Sequence, residues 1–243
     1  PSLVGSEMCI RDSYDFIRTI WGVEVFMQKT YLCIDLKSFY ASVECVELGL
    51  DPFKVNLVVA DPTRGGGAIT LAATSAIKKL GVSSRGRIFE IDPKIEYMMA
   101  PPRMHLYMEY SCKVYKVFLE FIAKEDIHVY SIDESFLDVT SYLKLYQVNA
   151  KELAKKILDR IYEKTGLTAT VGIGTNLYLA KIAMDISAKH NADRMAYLNE
   201  DLYRQTLWHH VPLTDFWMLG NGTERRLHKL GIYDMYDLSL IHI

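Results

Sequence analysis

Three acids carry the chemistry this chain could do. Asp133 and Glu134 are adjacent in Tyr130-Ser131-Ile132-Asp133-Glu134-Ser135-Phe136-Leu137-Asp138, where two short apolar runs meet. Neighbouring strand residues face opposite sides of a sheet, so adjacent carboxylates serve one site only at a turn or a strand end. The stretch reads as a tight hairpin with its acids at the tip. A hairpin tip is usually solvated and Asp is a good turn residue, so the pair alone marks no more than a polar turn. Asp35 changes that reading, because it ends the apolar run Val25 to Ile34. Three acids on neighbouring strands suit a magnesium site for phosphoryl transfer, where hard oxygen ligands hold the ions and substrate phosphates complete their shells.

The elements that must position these acids follow from periodicity and punctuation. Tyr14 to Val23 has no clear period, and a strand follows to Asp35. Ser38 to Leu48 reads as a helix stopped by Gly49, and Val55 to Ala60 as a short β-rich run. Asp61 to Gly67 is a turn or loop, and Thr70 to Leu80 a second helix, basic at its end and stopped by Gly81. Past Pro101-Pro102 a long helix is expected, with a core stripe at Met104, Tyr107, Met108, Tyr115, Phe118, Leu119 and Ile122. The hairpin strands are expected near 127–132 and 135–140. Asn149 with Glu152 makes a capping-box start for a helix to Lys164, ended by Gly166; a strand (Thr168 to Ile173) and a helix (Leu177 to Lys189) follow.

Without 39–100 the order is strand, helix, strand, strand, helix, strand. This is the split βαβ order of an α+β, ferredoxin-like (βαββαβ) unit, here with a small module inserted after its first strand. The first and third of those strands are central neighbours, which brings Asp35 beside Asp133-Glu134. Farther on, Gly220-Asn221-Gly222 lies between two short helices, where backbone N–H groups can form an anion nest. Arg225, Arg226 and Lys229 beside it favour phosphate binding.

Bulk properties set limits. The 243 residues, half of them hydrophobic, suffice for one substantial core or two to three small domains. Cys9, Cys33, Cys45 and Cys112 show no metal-ligand spacing and imply no disulfide framework. The net charge of -2 gives no global attraction to nucleic acid, so such binding must come from local patches. No apolar run reaches membrane-span length and no secretion signal is seen, so a soluble cytoplasmic protein with no membrane partner is expected. Met8 to Ser13 and Leu238 to Ile243 can be encoded by opposite strands of one transposon-end sequencing adaptor. Residues 1–13 and 238–243 are accordingly expected to be read-through, flanking a fragment cut on its right-hand side.

Ile34-Asp35-Leu36-Lys37-Ser38-Phe39-Tyr40-Ala41-Ser42-Val43-Glu44, the Ser131 to Val139 stretch, and Val171-Gly172-Ile173-Gly174 through Leu179-Ala180-Lys181-Ile182-Ala183 together resemble the Y-family translesion DNA polymerases. The likeness runs from about Tyr31 to Asp237, and the branch is similar to the bacterial SOS polymerase group. It implies a palm over 14–38 and 101–194, fingers over 39–100, and a partial thumb over 195–237 with a helix-hairpin-helix. A little finger would lie beyond Asp237. The implied partners are primer-template DNA and a deoxynucleoside triphosphate, with a sliding clamp or recombinase engaged through the missing C-terminal region.

Residue by residue, the resemblance makes Asp35 and Asp133 bridging ligands of two magnesium ions and Glu134 the acid holding the ion at the primer 3′ hydroxyl. Leu36 would offer its backbone carbonyl to a metal. Tyr40 matches the steric gate against a ribose 2′ hydroxyl, and Phe39 would support it. Lys181, on the helix after the Gly172-x-Gly174 turn, matches a basic residue directed at the triphosphate. Lys78 stands where many relatives carry an arginine, Ser75 where several carry a tyrosine, and Lys189-His190 replaces a common Lys-Pro. Gly220, Gly222, Arg225, Arg226 and Lys229 would grip DNA. Two rivals stand beside this reading: a palm-type nucleotidyl cyclase, against which the helix-hairpin-helix argues, and a catalytically inactive DNA-binding or scaffold module.

Overall fold

The computed structural model describes residues 14–18 and 24–242; the expected read-through at 1–13 lies outside them. Tyr14–Arg18 (β1) and Glu24–Gln28 (β2) form an antiparallel pair of their own. The apolar run expected as one strand from Val25 is therefore two, and the second is Tyr31–Leu36 (β3). The break falls at Thr30, whose N–H donates to Thr140 Oγ1 at 2.9 Å and whose carbonyl accepts from Val139 N–H at 2.9 Å.

Between the helix Phe39–Glu47 and the long central helix lies a small three-stranded sheet, Leu57–Val59 (β4), Ala72–Ala73 (β5) and Met98–Ala100 (β6), in the order β5-β4-β6. The helix expected over Thr70 to Leu80 is confined to Ser75–Lys78. Thr74 Oγ1 donates to Val55 C=O at 2.7 Å and accepts from Leu57 N–H at 3.1 Å, which draws residues 72–73 onto β4 instead. Pro62–Gly67, expected as a turn or loop, forms 3-10 turns capped by Asp61. The module has its own small core of Val58, Ala60, Ile77, Ile88 and Ile91.

Ile127–Val129 (β7), Glu134–Asp138 (β8), Ala169–Gly174 (β9) and Met195–Leu198 (β10) complete the main sheet, ordered β10-β9-β3-β8-β7. Its first four sequential strands pair antiparallel in the expected split order, and β10 adds a parallel edge that sequence reading did not include. Strand alternation divides β3. Leu32, Ile34 and Leu36 join the core formed with the helices Met104–Leu119 and Ala150–Thr165, whereas Tyr31 and Cys33 pack with Phe136, Ala180 and Met184 on the other face. The Asn149–Glu152 capping box and the Gly166 cap (φ 70) form as expected.

Two helical expectations need correction. The buried face of Met104–Leu119 is Tyr107, Tyr110, Val114, Val117 and Phe118; Met104, Met108 and Leu119 are exposed on its flank. The core lies about a quarter-turn from the expected stripe because the sheet meets the helix there. The helix expected from Leu177 to Lys189 is α only to Ile182. It continues as a π turn (Ala183–Ser187) and a 3-10 turn (Ala188–His190). Gly172 and Gly174 are strand residues rather than a turn, and they seat that helix. A Cβ at Gly172 would stand 1.9 Å from Ala180 O, and one at Gly174 2.2 Å from Ala180 N.

Leu198, Leu207, Leu213 and Phe216 pack the following segment onto Leu179, Ile182 and Ala183. Its helices are Glu200–Thr206, Asn221–Lys229 and Met235–Ser239; the last of these and the 3-10 turn Leu240–His242 take in positions 238–242. Among the described residues no helix is long and apolar enough to cross a membrane.

Candidate active site

The acids meet because β3 and β8 are neighbours. Asp35 stands in register with Glu134, the first residue of β8, and Asp133 precedes it in the turn. Backbone bonds fix that turn: Tyr130 and Ser131 N–H both donate to Glu134 C=O at 3.0 Å, and Leu36 N–H donates to Asp133 C=O at 2.9 Å. Ser131 Oγ donates to Asp133 Oδ1 at 2.7 Å.

Each acid has a different electrostatic setting. Glu134 is buried, accepting from Lys181 Nζ at 2.9 Å and from the Cys33 thiol at 3.3 Å. Burial would lower the Lys181 ammonium, but its bonds to Glu134 and Asp185 outweigh burial and hold it above the ordinary lysine value. Burial, followed by the Glu134 charge, pushes the Cys33 thiol well above its usual range. Asp35 is pushed up to about 6, chiefly by burial, with Lys189 opposing and Asp133 and Glu134 adding. Asp185 joins the two lysines, 2.9 Å from Lys181 Nζ and 2.7 Å from Lys189 Nζ, and Lys189 reaches Asp35 at 3.7 Å.

All of these groups except the buried Cys33 line one cavity of ≈ 560 Å³ together with Leu36, Phe39, Tyr40, Lys78, Arg85 and Tyr130. Lys78 Nζ donates to Ser38 Oγ at 2.9 Å, and Ser38 holds a left-handed φ of 50 at the start of the helix that carries Tyr40. The Tyr40 ring stacks on Tyr107, centroids 4.4 Å apart and 17° from parallel. Tyr107 is braced in turn, its hydroxyl donating to Glu44 Oε1 at 2.7 Å while Arg103 pairs with the same carboxylate.

The structure thus brings together Asp35, Leu36, Phe39, Tyr40, Lys78, Asp133, Glu134 and Lys181. Ser75 is not part of the cavity lining, and neither are Gly220, Gly222, Arg225, Arg226 and Lys229. The expected Gly-x-Gly nest also differs: Gly220 caps the helix Asn221–Lys229 and Gly222 lies within its first turn. Arg225 and Arg226 fold back to donate to Asn221 and Gly222 carbonyls at 3.2 Å each. Sequence reasoning missed Asp185, whose spacing four after Lys181 and four before Lys189 was a usable signal, and Arg85, a loop cation with none.

Among the described residues no three His, Cys, Asp or Glu side chains form a ready set for a metal ion. Glu134 is engaged by Lys181 and Cys33. The donor chemistry nevertheless fits a hard divalent cation. Asp35 and Asp133 are oxygen donors on the cavity wall, and a cation would relieve the burial and anionic neighbours that disfavour the Asp35 carboxylate.

Comparison with known proteins agrees with this architecture. The chain belongs to the impB/mucB/samB family, whose model matches residues 34–185. It is 38% identical over 217 residues to UvrX of Bacillus subtilis (strain 168), named for UV-damage repair, covering 88% of this chain and 50% of that one. It is 34% identical over 216 residues to a DNA polymerase IV 2 of the same organism, covering 87% and 50%. The chain therefore spans about half the length of these curated relatives. A chimeric Y-family DNA polymerase made from Dbh and Dpo4 superposes with a TM-score of 0.73 at 26% identity, covering 87% of this chain and 60% of that one. An insertion ternary complex of Dbh DNA polymerase gives 0.71 at 28%, covering 86% and 60%. The fold is that of the Y-family polymerases.

Proposed function

We propose that this chain is the catalytic part of a DNA polymerase, adding deoxynucleotides to a primer 3′ hydroxyl under template direction in low-fidelity translesion synthesis during the SOS response. The observation that carries the reading is the register of Asp35 against Glu134, with Asp133 in the adjoining turn, on one cavity with Tyr40 and Lys78. In this reading 14–38 and 101–194 are the palm, 39–100 the fingers, and 195–237 part of a thumb. Asn221–Lys229 and the turn before it would serve as a helix-hairpin-helix on the DNA backbone, with Gly220, Gly222, Arg225, Arg226 and Lys229 toward phosphates.

Asp35, Asp133, the Leu36 carbonyl and Glu134 would hold two magnesium ions, which when bound lower the pKa of the primer hydroxyl and neutralise the triphosphate. The primer oxygen then bonds to the α-phosphorus as the bond to the departing pyrophosphate breaks. Lys78, Lys189 and Arg85 offer cations to the phosphates, Lys78 as a point charge without an arginine's fork. Lys181 keeps Glu134 ordered and compensated until the substrates arrive. Tyr40, held flat on Tyr107, presents a ring edge where a ribose 2′ hydroxyl would need room.

Primer extension at low salt with single nucleotides tests this. Insertion of a deoxynucleotide that Asp133→Asn abolishes supports it. Absence of insertion even in the chain extended to the full length of its relatives would sink it.

A further inference from the structure

The carboxylates Asp35, Asp133, Glu134 and Asp185 line the cavity, and Lys181 and Lys189 are divided unevenly among them. Lys181 Nζ is engaged by Glu134 Oε2 and Asp185 Oδ2, each at 2.9 Å. Lys189 Nζ stands between two acids. It donates to Asp185 Oδ1 at 2.7 Å and lies 3.7 Å from Asp35 Oδ2, within reach of an ion pair but beyond a hydrogen bond. Asp133 accepts the Ser131 hydroxyl at 2.7 Å and forms no ion pair among the described residues. The lysines therefore leave Asp35 and Asp133 without a close cationic contact.

Asp185 produces this division. Lys181, Asp185 and Lys189 are spaced by four, and along a regular α-helix such a row drifts by about 40° at each step. Here the helix that begins at Leu177 passes into the π turn Ala183–Ser187 between the two lysines. A π turn winds less per residue, so it offsets the drift and keeps the three side chains in one connected row. Gly172 and Gly174 set the depth of that row, because their missing side chains let Ala180 and Met184 approach the sheet. The Asp185 carboxylate, only 22% exposed, is held at one oxygen by Lys181 and presents the other to Lys189. Without its charge, the carboxylate left to the Lys189 ammonium is Asp35.

We infer that Asp185 is a positioning residue that holds the Lys189 ammonium off Asp35, so that Asp35 and Asp133 stay open to a divalent cation. The inference rests on the two-cation reading of the cavity and adds a residue to it. An ammonium hydrogen-bonded to Asp35 would neutralise that acid and compete with an ion for its oxygens. In the absence of Asp185 the two lysines would pair off with Glu134 and Asp35.

Manganese titration of the chain tests this, with free manganese followed by electron paramagnetic resonance at low salt, without DNA or nucleotide. The proteins are wild type, Asp133→Asn, Asp185→Asn, Asp185→Glu, Lys189→Met and Asp185→Asn/Lys189→Met, and circular dichroism checks their folding. Asp185→Asn should weaken manganese binding about tenfold, the worth of one charge-assisted hydrogen bond gained by Asp35. Asp185→Glu should keep most of the affinity. The decisive readout is the background in which Lys189→Met acts. It should change wild type little, because Asp185 already holds that lysine, and should return about tenfold in the Asp185→Asn background. Equal gains in the two backgrounds would mean that each charge acts only through the general field, which overturns the inference. Wild-type affinity in Asp185→Asn overturns it too. Should Asp185→Asn fail the folding check, a near-tenfold gain from Lys189→Met alone would still overturn it. If Asp133→Asn lowers affinity while the cycle shows no coupling, the cation reading stands and only the role of Asp185 falls. If Asp133→Asn changes nothing, or wild type binds no manganese, the inference falls with the cation reading, and primer extension judges nucleotidyl transfer separately.

Discussion

Lys181 Nζ lies 2.9 Å from Glu134 Oε2, and both side chains are nearly sealed from solvent. A buried carboxylate left without its partner is far costlier than the intact pair is worth. Lys181→Met should therefore destabilise the fold by about 3–5 kcal/mol. Adding Glu134→Gln should return much of that loss, because the stranded charge is gone. Urea midpoints of the two single variants and the double variant check this. Additive losses would mean that Lys181 acts through Asp185 alone.

The Asp35 carboxyl titrates near 6 in the folded chain against 3.8 for the free group. Between those values the folded state holds a proton that the unfolded state has lost, so stability falls as pH rises from about 4 to about 6 and is level above that. Asp35→Asn removes the effect. Without divalent cations it should be about 1–3 kcal/mol more stable than wild type at pH 7, allowing for solvent screening, with the gap closing by pH 4. Denaturant titrations across that range measure it, and a pH-independent gap would rule the mechanism out.

Gly172 admits no side chain, since its Cβ would meet Ala180 O and Met184 N at 1.9 and 2.4 Å, both of them backbone atoms. Gly172→Ala should cost about 3 kcal/mol or more. Gly67→Ala, which meets nothing within 4 Å, should stay within about 0.5 kcal/mol of wild type. Thermal unfolding of the two variants side by side makes the comparison.

What the sequence carried locally was legible in it. The Asn149–Glu152 box and Gly166 bounded their helix within a few residues, and the order of apolar runs placed Asp35 beside Glu134 before any geometry was known. What depended on distant partners was not. Residues 72–73 became a strand through the Thr74 side chain bonding near β4, and Thr30 split an apolar run by bonding to the segment after β8. The π turn after Ile182 has no periodic signature of its own, yet the Lys181–Asp185–Lys189 row runs along it. Gly172-x-Gly174 was visible as a pattern, but its reason, close approach of a helix to a strand, lies in packing.

The flat contact of Tyr40 on Tyr107 depends on Glu44, which accepts from the Tyr107 hydroxyl. Tyr107→Phe should cost about 1–2 kcal/mol, softened by the Arg103 pair that Glu44 retains. If Tyr40 excludes ribonucleotides, Tyr107→Phe should raise their insertion relative to deoxynucleotides by a modest factor and Tyr40→Ala by a much larger one. Single-nucleotide insertion assays give the ratio. An unchanged ratio in Tyr107→Phe would show that the Tyr40 ring is held by its own helix and not by the stack.

Trp217 connects the C-terminal segment to the acidic turn. Its indole N–H donates to the Tyr130 hydroxyl at 3.2 Å, and its ring packs against Tyr130, Phe136 and Tyr178 at centroid distances of 5.7, 6.2 and 6.3 Å. Tyr130 also gives its backbone N–H to Glu134 C=O, so the same residue touches both the acids and the segment leading into Asn221–Lys229. Trp217→Phe keeps most of the packing and removes the donor, while Tyr130→Phe removes the acceptor. In a double-mutant cycle each single change should cost about 0.5–1.5 kcal/mol, and the pair no more than one alone, because both delete the same bond. The cycle can be read in denaturant stability and, independently, in affinity for a primed template. Coupling in stability without coupling in DNA affinity would make the bond a brace for the fold; coupling in both would make it part of how the segment at 221–229 is aligned with the acids.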